Sequence, residues 1–97
     1  MKKVIVRFDF PNVSQQQYDN VWKELRASGN DHPKGLIFHV GGPTTGGWMV
    51  VDVWESEETF KNFSSTLMPI IARQDIPQVQ PSISPAYNVY EGSLHTA

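Results

Sequence analysis

The chain contains no cysteine. That absence removes disulfides, thiolate nucleophiles and Cys-based metal sites at once. Basic residues are also few: eight Lys and Arg stand against ten Asp and Glu, for a formal net charge of −2. They are scattered along the chain, so there is no electrostatic footprint for a nucleic-acid backbone or an anionic membrane surface. Neither nucleic acid nor membrane is an expected partner. No segment approaches the ~20 apolar residues of a membrane span, and MKKVIVRFDF at the start lacks the apolar stretch of a signal h-region. The expectation is a cytoplasmic protein. Its 97 residues form one domain, and a chain of this size buries roughly 60 to 65% of its unfolded surface, so dimerisation would add useful stability.

What is present is a clear alternation of strand and helix patterns. From Lys3 to Phe10, Val4, Val6, Phe8 and Phe10 fall on one face and Ile5, Arg7 and Asp9 on the other, the period of a half-buried strand. Ser14 then reads as an N-cap, with Gln17 completing a capping box and Val13 and Tyr18 placed as a hydrophobic staple. Tyr18, Val21, Trp22 and Leu25 share one helical face, and Gly29 with Asn30 stops the helix, predicted over Gln15 to Ser28. GLIFHVGG, from Gly35, reads as a second strand. The loop GGPTTGG joins it to a third, Trp48 to Trp54, as an antiparallel hairpin. With the loop centred near Thr44, His39 would face Val50 and Ile37 would face Asp52. Ser56 caps a second helix, with Glu57 and Glu58 complementing its positive end. Phe60, Phe63, Leu67, Ile70 and Ile71 form its apolar stripe, and Pro69 predicts a kink or restart. After an irregular proline-rich stretch, Ala86 to Tyr90 reads as a short edge strand and GSLHTA as a frayed tail.

The order is strand, helix, strand, strand, helix, strand. This is the α+β, ferredoxin-like βαββαβ pattern, a four-stranded antiparallel sheet with both helices on one face. Placing the continuous apolar sets Val4/Val6/Phe8, Leu36/Phe38/Val40 and Met49/Val51/Val53 against the helices leaves Ile5, Arg7, Asp9, Ile37, His39, Trp48, Val50, Asp52 and Trp54 on the open side. A face so apolar predicts self-association through the sheet, or a pocket lining.

His39 is the leading catalytic candidate, because imidazole titrates near neutral pH and serves as acid, base, haem ligand or hydrogen-bond donor. The plainer alternative is a satisfied histidine in a dimer core. Asp52, on the neighbouring strand, is placed either to orient His39 or, as the sequence favours, to pair with Arg7 across the sheet. Trp48 and Trp54 would form an aromatic wall for a flat substrate, or plain interface anchors. Tyr18 and Trp22 would reach a cavity between helix and sheet, or belong to the core. His32 with Asp31 is too small a set for a metal site, and His95 lies in the tail. GGPTTGG lacks the Lys-Ser/Thr ending and strand-to-helix setting of a phosphate-binding loop, and the sequon Asn12-Val13-Ser14 has no secretion signal to give it meaning.

The element order, HPKGLIFHVGG, GGWMVVDVWESEETFKNF and the short closing strand together resemble the dimeric α/β-barrel superfamily, in particular its antibiotic-biosynthesis-monooxygenase-like branch. The resemblance spans nearly the whole chain. It implies a homodimer packed sheet to sheet into a barrel, with a cavity in each subunit for a small molecule. Members include cofactor-independent monooxygenases of aromatic polyketides, haem-degrading enzymes, isomerases and proteins without known activity, so the fold alone does not select a reaction. In the haem-degrading branch the resemblance calls for an Asn on the first strand, and Val4 to Phe10 contains none. In the monooxygenases, Trp, Tyr and Asn groups steady an anionic substrate that reacts directly with oxygen. Trp54, Tyr87, Asn88 and Tyr90 match those residues by type.

Three functions follow as expectations. The first is a homodimeric pocket protein acting as a monooxygenase-like oxidoreductase without a cofactor, with His39 and Asp52 catalytic and Arg7, Trp48, Trp54, Tyr18, Trp22 and Asn88 binding substrate. The second is a non-catalytic ligand-binding or structural dimer. The third is a haem-binding protein, which requires an open site beside His39.

Overall fold

A computed structural model describes residues 2–90 and Gly92. Its elements run β1 (Val4–Pro11), α1 (Gln15–Ala27), β2 (Leu36–Thr44), β3 (Gly47–Trp54), α2 (Glu57–Arg73) and β4 (Ser82–Pro85). The strands form one antiparallel sheet in the order β2-β3-β1-β4, which is the ferredoxin-like arrangement. The tail beyond Gly92, including His95, lies outside the described residues. Among those residues no helix is long and apolar enough to cross a membrane.

Both helices start where local chemistry directs. The Ser14 side chain accepts from the Gln17 backbone N–H, and the Gln17 side chain accepts from the Ser14 N–H, so two otherwise unpaired donors of α1 are satisfied. Ser56 and Thr59 make the same reciprocal pair at α2. The two helices are also tied to each other. Glu24 accepts from Arg73 Nε at 2.9 Å and from Gln74 Nε2 at 3.0 Å, while Gln17 Nε2 donates to the Gln74 carbonyl at 3.1 Å. α2 continues through Pro69 as one helix, so of the kink or restart expected there the restart does not occur. Proline removes one backbone donor there, and the burial of Ile70 and Ile71 beside it holds the last turns in place.

Three expectations need correction. The hairpin turn is Thr45-Gly46, because Thr44 pairs with Gly47 and β2 extends through Gly41–Thr44. His39 therefore faces Asp52, not Val50. The last strand is Ser82–Pro85, paired with Val4–Arg7, whereas Ala86 to Tyr90 make no ladder. AYNVY has the better strand propensity, but a strand forms where a partner edge offers backbone groups, and the β1 edge meets the chain earlier.

The third correction concerns the faces. Val4, Val6, Phe8 and Phe10 do pack against the helices, and β1 pairs with β3 as Val4↔Trp54, Val6↔Asp52, Phe8↔Val50 and Phe10↔Trp48. Residues directly opposite in an antiparallel pair share a face. Trp48, Val50, Asp52, Trp54 and, through β2, His39 thus turn inward, and Met49, Val51, Val53, Phe38 and Val40 turn outward beside Ile5, Arg7 and Asp9. Leu36 stays on the helix side, packed against the core, and Ile37 is exposed at an irregularity between Leu36 and Phe38. The core holds Phe8, Leu25, Val6 and Trp54 as its most buried side chains, each worth roughly 1.5–3 kcal/mol in transfer free energy.

Candidate functional site

The inward face of β2 and β3 carries a chain of hydrogen bonds. His39 Nδ1 lies 2.6 Å from Asp52 Oδ1, and Trp54 Nε1 donates to Asp52 Oδ2 at 3.3 Å. On the other side of the imidazole, His39 Nε2 lies 2.5 Å from the Tyr18 hydroxyl. A carboxylate only accepts, so Nδ1 carries the proton toward Asp52, Nε2 of the neutral ring is an acceptor, and Tyr18 O–H donates to it. The sequence alternatives are thereby separated: Asp52 orients His39 and does not pair with Arg7. Arg7 is on the opposite face, where its Nε donates to Asp9 Oδ2 at 3.0 Å.

Local backbone makes this chain of contacts possible. His39 and Asp52 are direct cross-strand partners, so their side chains rise from the sheet side by side. Tyr18 comes from the first turns of α1 and crosses over Gly41, where a Cβ would stand 2.7 Å from its hydroxyl oxygen. A side chain at position 41 would lift Tyr18 off the sheet. The tyrosine ring lies parallel to the His39 ring at a centroid distance of 6.0 Å and 5.0 Å from Trp48, and Trp22 meets His39 edge-on at 5.1 Å. Burial holds the Tyr18 phenol above its ordinary pKa, reinforced by the Asp52 and Asp19 charges and opposed by the Trp22 side chain. Tyr18 is thus a neutral donor across the physiological range.

These groups form one wall of a cavity of about 70 Å³ between sheet and helices, lined otherwise by apolar side chains including Phe8, Val21, Leu36, Phe63 and Leu67. It is smaller than the ~150 Å³ engineered cavity that takes up benzene, so a bound ring requires side chains of the lining to move. Pro33, one of the lining residues, sits between Gly29 and Gly35, both at positive φ.

Of the residues singled out from the sequence, the structure brings Tyr18, Trp22, His39, Trp48, Asp52 and Trp54 together around this cavity. Arg7 and Asn88 are not among its lining residues; both are exposed. Tyr87 and Tyr90 are also exposed. Gly41 and Pro33 went unnoticed as site residues, since nothing in one sequence distinguishes a glycine that admits a tyrosine from one that turns a hairpin. Both His39 nitrogens are engaged, so no ring nitrogen is free for haem iron, and the residues do not fit a haem ligated by His39. Among the described residues no three His, Asp or Glu side chains gather at metal-binding spacing.

The fold has a match among solved structures. Over 92% of this chain and 97% of the other, with a TM-score of 0.63 and 12% identity, it is similar to SnoaB, a cofactor-independent oxygenase from Streptomyces nogalater. A second likeness, to a putative antibiotic biosynthesis monooxygenase from Deinococcus radiodurans, covers 100% of both chains at 9% identity with a TM-score of 0.47. At such identities the likeness to SnoaB shows a shared ferredoxin-like fold. No protein-family model and no curated protein sequence matches the chain.

Proposed function

We propose that the protein is a homodimeric pocket protein that admits a flat, apolar small molecule between helices and sheet and moves a proton to or from it, as a monooxygenase-like enzyme without a cofactor would. The observation that carries this reading is the Asp52–His39–Tyr18 chain ending at the wall of an apolar cavity. A substrate C–H or O–H set against Tyr18 passes its proton to the phenol oxygen as the phenol proton moves to His39 Nε2, and Asp52 stabilises the imidazolium. With a methylene flanked by aromatic rings and a conjugated carbonyl, the resulting anion reacts directly with dioxygen. One O2 turns CH2 into C=O and releases one water, and no further reductant is needed. SnoaB, a cofactor-independent oxygenase of the same fold, supports placing this chemistry here by analogy only.

The dimer is part of the same proposal. The outward face aligns Val40, Val51 and Arg7 in one cross-strand row and Phe38, Val53 and Ile5 in the next. Phe38 is 55% and Val40 48% exposed in the single chain. A contiguous apolar band of this kind is a self-association surface.

Anthrone, a fused-ring ketone with an acidic methylene, is the probe for the enzyme reading; its three rings exceed the resting cavity, so turnover of it also requires that the lining open. Oxygen uptake by the wild type with equimolar quinone formation, lost about 100-fold or more in His39→Ala and Tyr18→Phe, is the expected result. Equal uptake in all three proteins would refute it. A second reading, a non-catalytic binder or structural dimer, is favoured by one observation: His39 and Asp52 already satisfy each other inside the subunit. It predicts no oxygen uptake in any variant.

A further inference from the structure

Two of the three indoles of the chain, Trp48 and Trp54, differ in how their N–H groups are used. Trp54 is 1% exposed and gives its N–H to Asp52 Oδ2, and its ring packs on Phe60 and Phe63 at centroid distances of 5.8 and 5.6 Å. It is a core residue that props the carboxylate. Trp48 is 7% exposed and lines the cavity, yet its Nε1 is buried without a hydrogen-bond partner among the described residues. Buried polar groups are nearly always paired, and an indole nitrogen can only donate. No acceptor lies within hydrogen-bond distance of it, and the polar side chains of the wall are directed at one another and at Trp54 instead.

We infer that Trp48 Nε1 is the hydrogen-bond donor of the cavity and selects occupants that present an acceptor oxygen to it. This rests on the cavity being a small-molecule site, as proposed above, and adds the polar contact that the aromatic wall by itself would lack. Trp48 and Tyr18, with rings 5.0 Å apart, then address one molecule in two ways. The indole holds an oxygen in place while Tyr18 exchanges a proton with a neighbouring atom. The inference reverses the simpler expectation that both tryptophans act by stacking: Trp54 is occupied with the core, and Trp48 acts through its nitrogen.

The test uses two molecules of the same shape, acetophenone and α-methylstyrene, the second carrying C=CH2 where the first carries C=O. Binding is followed by the indole N–H resonances of labelled protein, with the Trp48 signal assigned in the wild type through its proximity to the Tyr18 ring. Acetophenone is expected to bind at least tenfold more tightly and to move the Trp48 N–H downfield, and the preference is expected to vanish in Trp48→Phe. Should that variant fail to fold, the wild-type shift still decides. Equal affinities, or an unmoved Trp48 N–H on acetophenone binding, overturn the donor role while leaving the cavity reading intact; this is also the result if a water satisfies the indole in both complexes. If neither molecule binds, the cavity reading falls and the donor role with it.

Discussion

The His39–Asp52 contact is open to a quantitative test, because each partner leaves a different set of groups stranded. Asp52→Ala removes the acceptor for two donors, His39 Nδ1–H and the Trp54 Nε1–H of a residue only 1% exposed. An unsatisfied buried donor costs about 1–3 kcal/mol. Relief of the carboxylate's own desolvation offsets part of that, for a net loss of about 2–4 kcal/mol. In a domain this small, that lowers Tm by roughly 10–25 °C. His39→Ala leaves Asp52 with one partner instead of two. Because the His39 side chain is 21% exposed, water reaches the gap and the loss is smaller, about 2–3 kcal/mol. In the double variant only Trp54 and Tyr18 are left without partners, so the two losses do not add. The sum of the singles should exceed the double by about 1–3 kcal/mol. Urea unfolding followed by tryptophan fluorescence, at one fixed protein concentration, measures all four corners. Additivity within about 0.5 kcal/mol would show that the two side chains do not act as a pair, and the proton-handling reading would lose its base.

Two further outcomes follow from the same geometry. The wild type should sediment at about twice its 11.0 kDa chain mass at micromolar concentration, and Val51→Lys, which sets a second cation opposite Arg7 on the outward face, should sediment as a monomer; a monomeric wild type would refute sheet-to-sheet dimerisation. Tyr18 gives the pH dependence. Its folded pKa is raised, first by burial, so it contributes stability that is fully present below the unfolded value of about 10 and is lost as pH rises through the folded value. Wild type should therefore lose stability relative to Tyr18→Phe as pH rises from about 10 toward the folded value, and parallel pH profiles of the two proteins would contradict the raised pKa.

Much of the architecture was legible in the residues alone because its causes are local. Ser14 with Gln17, and Ser56 before Glu57 and Glu58, set helix starts through groups within one turn of each other. Val4, Val6, Phe8 and Phe10 declare a strand by period, and Tyr18, Val21, Trp22 and Leu25 a helix face. Element order followed, and with it the ferredoxin-like class. The candidate residues His39, Asp52, Tyr18, Trp22, Trp48 and Trp54 could also be chosen on chemistry.

What they do together was decided by tertiary structure. Alternation divides each strand into two sets but does not say which set faces the helices, since the pattern reads the same from either side. The pairing of Val6 with Asp52 settles it, carrying Trp48, Asp52 and Trp54 inward with the β1 apolar set, and a one-residue change of register would have sent them out. The turn at Thr45-Gly46, about one residue beyond where the hairpin composition centred it, leaves the face of His39 unchanged but shifts the pairing by two residues and exchanges its partner from Val50 to Asp52. Contact with Tyr18, twenty-one residues away in sequence, depends on helix α1 crossing β2 at Gly41. Sequence determines what local neighbours can enforce; the hydrogen-bond chain arises from which distant backbones pair, and that is a property of the packed sheet and helices as a whole.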